Sequence, residues 1–186
     1  MAAKDFHLYF LALIPNHDIV KELSELKEYF AKAYDSKASL NSVPHITLHM
    51  PFKWRDKKLG QLHSSLKKIA NSTKPFQVKL VNFGCFEPKT IYVDVEGSDE
   101  LNFLQELVHK EFKVNLKLMN ANYKNHTFHP HITLAFRGLT KFNFKLAWEE
   151  FKEKKYNSQF EAKNLCLLKH NGIKWEIEEE FPLKMD

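Results

Sequence analysis

One pentapeptide occurs twice in this chain of 186 residues, and its spacing constrains the fold more than any other feature. The sequence Pro-His-Ile-Thr-Leu begins at Pro44 and again 86 residues later. In each copy, β-branched residues alternate with polar ones, which indicates a β-strand. Because strand side chains alternate between faces, His45 and Thr47 share one face, and His131 and Thr133 share the equivalent face of the second strand. Each copy therefore presents an imidazole beside a hydroxyl and buries its aliphatic pair.

The elements around the two copies repeat in the same order: strand, helix, histidine strand, helix, strand. The predicted first strands begin at residues 6 and 90, and the predicted closing strands begin at residues 76 and 160. Offsets of 84 to 86 residues are too long for a solenoid and indicate one duplicated α+β unit. We expect a single bilobal domain over residues 1–186, with pseudo-twofold related units of about 5–83 and 90–182. Their mainly antiparallel sheets are expected to flank a central cleft that receives both histidines.

Local signals set the expected ends of the elements. Pro51 is expected to end the first histidine strand, over residues 43–50, and the second is predicted over residues 128–136. Residues 160–168 read as one strand, and the Asn-Gly pair that begins at Asn171 predicts a hairpin after it.

Bulk composition limits the partners without identifying one. The net charge is +5 and comes almost entirely from lysine, which is compatible with an anionic partner but equally with a solvated surface. The two cysteines, Cys85 and Cys166, form no Cys-x-x-Cys pair and are expected to be reduced core thiols. The apolar run at residues 6–14 is too short to span a bilayer. We therefore expect a cytoplasmic, monomeric protein without a membrane partner.

Two histidines on one face can carry both proton transfers that phosphodiester cleavage needs. Histidine titrates near neutral pH, so one imidazole can accept a proton from the attacking oxygen while another protonates the leaving oxygen. Each transfer typically accelerates the reaction about 10²–10⁴-fold. Thr47 and Thr133, one pleat from each histidine, are placed to donate hydrogen bonds to the phosphoryl oxygens. This scheme requires no metal.

The paired His-x-Thr-x motifs, each preceded by proline and spaced by nearly half the chain, resemble those of the two-histidine (2H) phosphoesterase superfamily. The closest pattern is that of its 2′-5′ RNA ligase-like and cyclic phosphodiesterase branch. The resemblance implies a bilobal fold with a central cleft, no cofactor, and metal-independent chemistry on 2′,3′-cyclic phosphates or 2′-5′ bonds of RNA or nucleotides. It also implies that the reverse 2′-5′ ligation is accessible. The catalytic positions would be His45, Thr47, His131 and Thr133, and the sequence leaves open which histidine is the base.

Three further residues are candidates for substrate binding. Arg137 shares a strand face with His131 if the strand stays regular, and its guanidinium could then hold a phosphate with two hydrogen bonds. By the same parity, His49 shares a face with His45, and His129 shares one with His131. Four histidines in one cleft also allow a metal-dependent hydrolase. A nucleotide-binding module with little catalysis is the other alternative.

A nucleotide substrate would also need an aromatic side chain against which a base can stack. Five aromatic residues lie in or beside the expected cleft loops, and the sequence does not choose among them: Phe52, Trp54, Phe86, Tyr123 and Phe128.

Overall fold

The structure is a computed structural model that describes residues 6–118 and 128–184. Its helices are α1 (His17–Tyr34), α2 (Leu59–Ala70), α3 (Asp99–Val114) and α4 (Lys141–Phe151). Its strands are β1 (Phe6–Leu13), β2 (Ile46–Arg55), β3 (Phe76–Phe86), β4 (Thr90–Val95), β5 (His131–Ala135), β6 (Asn157–Ala162), β7 (Asn164–His170) and β8 (Trp175–Pro182). Two short 3₁₀ helices cover Ala38–Asn41 and Asp56–Lys58.

The eight strands of the described residues form one antiparallel sheet in the order β6-β3-β4-β5-β2-β1-β7-β8. The predicted α+β class with mainly antiparallel strands is confirmed. The two histidine strands, β2 and β5, are neighbours at the centre of the sheet, where Ile46 lies opposite Ile132. Each half of the sheet, β6-β3-β4-β5 and β2-β1-β7-β8, therefore contributes one histidine strand to the junction.

The closing strand of each repeat unit pairs with the first strand of the other unit. β3 follows the first histidine strand in sequence, yet it pairs with β4 of the second half. β7 comes from the second half and pairs with β1. Neither repeat unit therefore has a sheet of its own, because the two exchange their closing strands.

The two faces of the sheet differ in what covers them. One face packs against the helices and holds the main hydrophobic core, where Ile46, Leu48, Ile132 and Leu134 are buried as predicted. On the opposite face, Phe10, Ala12, Cys166 and Leu168 form a smaller buried cluster, with Trp175 packed against it. These cluster residues alternate along β1 and β7 with residues of the main core, which is what strand geometry requires. We call this second face the cleft face.

Three predicted boundaries were wrong. β2 does not end at Pro51 but continues to Arg55, because the pairing of β1 with β2 is irregular between Leu11 and Tyr9. Proline is tolerated at such an irregularity because no regular ladder hydrogen bond depends on its nitrogen. The predicted strand over residues 160–168 is interrupted at Lys163, and β6 and β7 pair with strands in different halves of the sheet. The second histidine strand, predicted over residues 128–136, is shorter and covers only β5.

The other local signals agree with the structure. The hairpin of β7 and β8 is confirmed, and its turn is closed by the Asn171 side chain, which accepts hydrogen bonds from the backbone nitrogens of Ile173 and Lys174. Gly172 has φ of 104° there, a conformation that favours glycine. Among the described residues, no helix has the length and apolar character needed to cross a membrane.

Candidate active site

The central pair of strands brings both His-x-Thr motifs onto the cleft face. Ile46 lies opposite Ile132 in an antiparallel pair, so continuing this register by one residue sets His45 opposite Thr133 and Thr47 opposite His131. The two histidines are then diagonal neighbours on one face. Residues related in this way in an antiparallel pair lie about 7–8 Å apart. The structure thus brings together all four residues for which the sequence predicts catalytic roles.

The two imidazoles are held by equivalent hydrogen bonds. His45 Nδ1 lies 2.7 Å from the carbonyl oxygen of Val43, and His131 Nδ1 lies 2.7 Å from the carbonyl oxygen of His129. A carbonyl oxygen can only accept, so Nδ1 carries the proton in each ring. In the neutral ring this leaves Nε2 as the acceptor, so both rings are set in the same tautomer.

His45 lies in an apolar setting near Lys27, a buried lysine whose own pKa is lowered by burial to about 7. Its ring packs against Phe10, with 4.7 Å between ring centroids. Burial lowers the pKa of His45 to about 4, and the nearby Lys27 ammonium lowers it further in the same direction. Lys27 on α1 is only 3% exposed, and its Nζ donates to the carbonyl oxygens of Ser39 at 3.1 Å and Ser42 at 2.9 Å. These contacts tie α1 to the loop that leads into the first His-x-Thr motif.

His131 has a carboxylate and a second imidazole near it. Burial lowers its pKa, and the His129 imidazole lowers it further. The hydrogen bond to the His129 carbonyl opposes these effects, as does, more weakly, the Asp94 carboxylate directly opposite it in the register of β4 and β5. Asp94 Oδ1 also lies 3.1 Å from Nε2 of His129. The two histidines therefore share their geometry but differ in their charged neighbours: Lys27 lies near His45, and Asp94 and His129 lie near His131.

An aromatic pair flanks His131 and depends on a glycine. Tyr92 lies 4.9 Å from His131 and 4.6 Å from Phe86 between ring centroids. Gly84 is opposite Tyr92 in the β3–β4 pair, and a Cβ there would lie 2.7 Å from Cζ and 2.8 Å from the hydroxyl oxygen of that tyrosine. The Tyr92 ring can occupy this position only because residue 84 has no side chain.

Sequence reasoning missed four of these residues: Lys27, Gly84, Tyr92 and Asp94. Three had a readable signal. Tyr92 and Asp94 alternate with Ile91, Val93 and Val95 and therefore occupy the other face of β4. Lys27 follows Leu23 by four residues and so falls on the buried stripe of α1. Gly84 had no local signal, since its role depends on the pairing of β3 with β4.

The prediction that His49 shares a face with His45 was wrong. Ala12 pairs with Thr47 but Leu11 pairs with His49, so one extra residue of β2 reverses the alternation. His49 is 4% exposed and packs against Phe112 of α3, with 4.3 Å between ring centroids. Burial lowers its pKa to about 4. His49 belongs to the main core and is not placed to bind substrate.

The other two substrate-binding candidates lie beyond the ends of β5. His129 is half-exposed and is placed beside Asp94 and His131. β5 ends at Ala135, and Arg137 has φ of 40°, so the parity that related it to His131 does not hold. Its guanidinium lies 5.6 Å from the centre of the Phe136 ring. Phosphate binding by Arg137 stays a prediction.

The aromatic candidates separate clearly by position. Phe52 and Trp54 are each 7% exposed in the main core, so both were wrong as stacking residues. Phe128 is half-buried against the same core, and Tyr123 lies outside the described residues. Phe86 is 42% exposed and meets His131 edge-on at 5.1 Å between ring centroids. Of the candidates within the described ranges, Phe86 is the one placed beside a histidine of the site.

The four-histidine metal site of the alternative hypothesis is not assembled. His49 lies on the opposite face of the sheet from the other three histidines. Within residues 6–118 and 128–184, no three His, Cys, Asp or Glu side chains are grouped as metal ligands would be.

An antiparallel α+β fold that brings both His-x-Thr motifs onto one face agrees with the fold that the resemblance to the two-histidine phosphoesterases implies. The sequence profile of the 2′-5′ RNA ligase superfamily matches residues 15–174. This chain belongs to that superfamily of two-histidine phosphoesterases, so the predicted family is confirmed.

Individual relatives agree with this placement. A protein of Oceanobacillus iheyensis that carries the provisional name phosphoesterase is 30% identical over 186 aligned residues, covering 96% of this chain and 99% of the relative. A protein of Bacillus cytotoxicus with the same provisional name is 37% identical over 106 residues, covering 56% and 57% of the two chains.

Two solved structures share the fold over nearly the full length. TT0787 of Thermus thermophilus has a TM-score of 0.67 at 17% identity and covers 95% of this chain and 97% of its own. E. coli LigT complexed with 3′-AMP has a TM-score of 0.69 at 16% identity, with coverages of 97% and 99%.

Proposed function

We propose that this protein is a metal-independent phosphodiesterase that cleaves 2′,3′-cyclic phosphate or 2′-5′ bonds of RNA or nucleotides. The observation that carries the proposal is the matched pair of imidazoles, each with Nδ1 bound to a backbone carbonyl on the same face of adjacent strands. Two imidazoles held in this way can act as general acid and general base on opposite sides of one phosphorus. The fold neighbour E. coli LigT has been solved with 3′-AMP, ATP and NADP⁺, which supports a nucleotide ligand for this chain as well.

The charges around the two imidazoles support different roles for them. His45 has the Lys27 cation behind it, which favours its neutral form, so His45 is the base in hydrolysis. His131 faces the Asp94 carboxylate, which favours its protonated form, so His131 is the acid. This difference in charged neighbours supports the assignment of base and acid to two residues that are otherwise equivalent.

The reaction then proceeds as a single displacement at phosphorus. Nε2 of His45 takes a proton from water as the water oxygen forms its bond to phosphorus. The bond from phosphorus to the 2′ or 3′ oxygen breaks, and His131 protonates the departing oxygen. Hydroxyls of Thr47 and Thr133 donate to the non-bridging phosphoryl oxygens, which gain charge in the transition state. In the reverse 2′-5′ ligation the two histidines exchange roles.

Phe86 supplies the stacking surface for the base nearest to the scissile phosphate. Its ring is 42% exposed and packs against Tyr92, with 4.6 Å between ring centroids. Stacking on an aromatic face is tolerant of base identity, so we expect little base preference at this position.

Turnover of a nucleoside 2′,3′-cyclic phosphate in excess chelator tests the proposal. The wild type is expected to release a nucleoside monophosphate, and His45→Ala and His131→Ala are each expected to lose about 10²–10⁴-fold in kcat/KM. His17→Ala is the matched control, since the His17 side chain is 90% exposed at the start of α1. Full activity in both site variants, or activity only with added metal, would contradict the proposal. Saturable nucleotide binding without turnover would instead favour the binding module.

We also propose that the protein acts as a monomer in the cytoplasm. Both histidines and both threonines of the site come from one chain. Cys85 and Cys166 are free thiols, as a reducing compartment would maintain them.

A further inference from the structure

The carbonyl that orients the His131 ring belongs to a residue outside the sheet. His129 and Pro130 precede β5, and in the described part of the chain no strand pairing includes either residue. Pro130 has no backbone N–H and cannot donate a ladder hydrogen bond. Yet the His129 carbonyl has to stay in place, because it accepts from Nδ1 of His131 at 2.7 Å and so sets the tautomer of that ring.

The His129 side chain provides an anchor for this segment. Its Nε2 lies 3.1 Å from Oδ1 of Asp94, a residue of β4 that is paired with His131. A carboxylate can only accept, so Nε2 is the donor. The His129 ring also meets Phe86 and Tyr92 edge-on, at 5.4 and 5.5 Å between ring centroids. Asp94 therefore holds the His129 ring, while the carbonyl of the same residue holds the His131 ring.

The first motif holds the equivalent segment by different contacts. Val43 occupies the position that corresponds to His129, and its carbonyl accepts from Nδ1 of His45. The Val43 side chain packs against the buried cluster on the cleft face. Lys27 donates to the carbonyl of the preceding residue, Ser42, at 2.9 Å. Each copy of the motif thus has an anchor for the residue before its proline, and in the second copy that anchor is a hydrogen bond between two side chains.

We infer that Asp94 and His129 are positioning residues for His131: the hydrogen bond between their side chains holds the His129 carbonyl where it keeps a proton on Nδ1 of His131. The inference rests on the proposed function, in which Nε2 of His131 faces the departing oxygen. It gives the His129 ring no contact with substrate and no proton transfer of its own. Loss of the bond would release the carbonyl, so the His131 ring could turn or change tautomer. A misplacement of about 1 Å can cost about 10²-fold in rate.

Side-chain NMR of the imidazole nitrogens tests the inference, because it distinguishes the Nδ1–H tautomer from the Nε2–H tautomer. Above neutral pH, His45 and His131 of the wild type are both expected in the Nδ1–H form. Asp94→Ala and His129→Ala should each shift His131 towards a mixture of tautomers and leave His45 unchanged. His45 is thus a control within the same molecule, because a general loss of structure would affect both rings.

Kinetics on a nucleoside 2′,3′-cyclic phosphate supply the second readout. Each alanine variant should lower kcat at the plateau of its pH profile by about 10–10²-fold, with KM changed by no more than about threefold. Because both variants break the same bond, the double variant should lose no more than either single one. Additive losses would mean that the two residues act separately and would overturn the inference.

Conservative variants separate positioning from chemistry. Asp94→Asn keeps an acceptor oxygen without the charge, and His129→Gln keeps a donor nitrogen that does not titrate. Both should keep the Nδ1–H tautomer of His131 and a kcat plateau within about threefold of the wild type. Asp56→Ala is the matched control and should change neither readout, because Asp56 bonds to a histidine, His7, at 2.7 Å but lies just past the end of β2 that is remote from the motif.

An unchanged His131 tautomer in Asp94→Ala and His129→Ala would overturn the inference, as would an unchanged kcat in both. A loss in His129→Gln as large as in His129→Ala would overturn it too, since the ring itself would then take part in binding or chemistry. A wild type without turnover would count against the proposed function, whereas the tautomer of His131 in the variants would still decide the inference. The two failures are therefore distinguishable.

Discussion

His45 and His131 are positioned by the same hydrogen bond, from Nδ1 to the carbonyl oxygen of the residue two positions earlier, at 2.7 Å in both cases. The bond uses only backbone atoms as acceptors, so it follows from strand geometry and from the repeated motif. Duplication of one short strand therefore reproduces both the ring and its orientation. What differs between the copies is the set of charged groups nearby, with Lys27 near His45 and Asp94 near His131.

Replacing either threonine should slow the chemical step. Thr47→Val and Thr133→Val keep the β-branched shape but remove a hydroxyl that is proposed to donate to the charged phosphoryl oxygens. Loss of one such donor typically costs about 10²–10³-fold in kcat. Thr47→Ser and Thr133→Ser are the controls, and both should retain most of the activity. Unchanged kcat in the valine variants would show that the hydroxyls do not stabilise the transition state.

Lys27→Met should change the pH dependence of the reaction. The ammonium opposes protonation of His45, so its removal should raise the pKa of His45 and move the acid limb of kcat/KM to higher pH. The matched control is Lys32→Met, since Lys32 lies on the same helix but its side chain is 80% exposed. The profile of kcat/KM against pH provides the measurement, with loop order checked by hydrogen exchange. An acid limb at the same pH in both variants would contradict this role.

Gly84→Ala should reduce activity without unfolding the protein. The new methyl group would lie within 3 Å of the Tyr92 ring, so the ring must move away from its contacts with Phe86 and His131. We expect a loss of roughly tenfold or more in kcat/KM, because small displacements in a site can cost this much. Gly97→Ala is the control, since a Cβ at Gly97 meets nothing within 4 Å. Equal activity in the two variants would contradict the role of the Gly84–Tyr92 contact.

His49→Leu should make stability less sensitive to acid. Burial lowers the pKa of His49 from 6.5 to about 4, so below pH 6.5 the unfolded chain takes up a proton there that the folded protein does not. The free energy of unfolding therefore falls as pH decreases from about 6.5 to 4, with about 3 kcal/mol coming from this residue.

The leucine variant removes that contribution, and urea unfolding at several pH values measures it. His17→Leu at the exposed start of α1 is the control and should keep the wild-type slope. Activity should also be retained in His49→Leu, because His49 packs in the core against Phe112. A large loss of activity with stability unaffected would contradict the assignment of His49 to the core and indicate that it lies in the cleft.

The sequence predicted those parts of the fold that depend on local patterns. Asn16 and Ser98 each precede a run of apolar residues at helical spacing, which predicts a helix cap, and their side chains accept hydrogen bonds from the backbone nitrogens of Ile19 and Leu101. The juxtaposition of the two His-x-Thr motifs was predicted because a repeated motif with matching flanking elements contains long-range information within the sequence itself. Period-two alternation then assigned the correct face to His45 and His131.

The rest could not be predicted because it depends on pairing between distant strands. One extra residue near Leu48 reverses the alternation in β2, and this single irregularity moved His49 from the cleft to the core. The break at Lys163 carries no glycine or proline to mark it, so residues 160–168 read as one strand. Gly84 matters only because β3 pairs with β4 of the other repeat unit, and no local pattern shows that exchange.

The central claim is that His45 and His131 act together as base and acid, and the pH dependence of kcat/KM on a nucleoside 2′,3′-cyclic phosphate tests it most directly. The pKa of His45 is about 4, and that of His131 lies below its ordinary 6.5, so the wild type should give a bell with its maximum on the acidic side of neutrality. His45→Ala should lose the acid limb and His131→Ala the basic limb. A wild-type profile with a single limb, or either variant with both limbs intact, would contradict the claim.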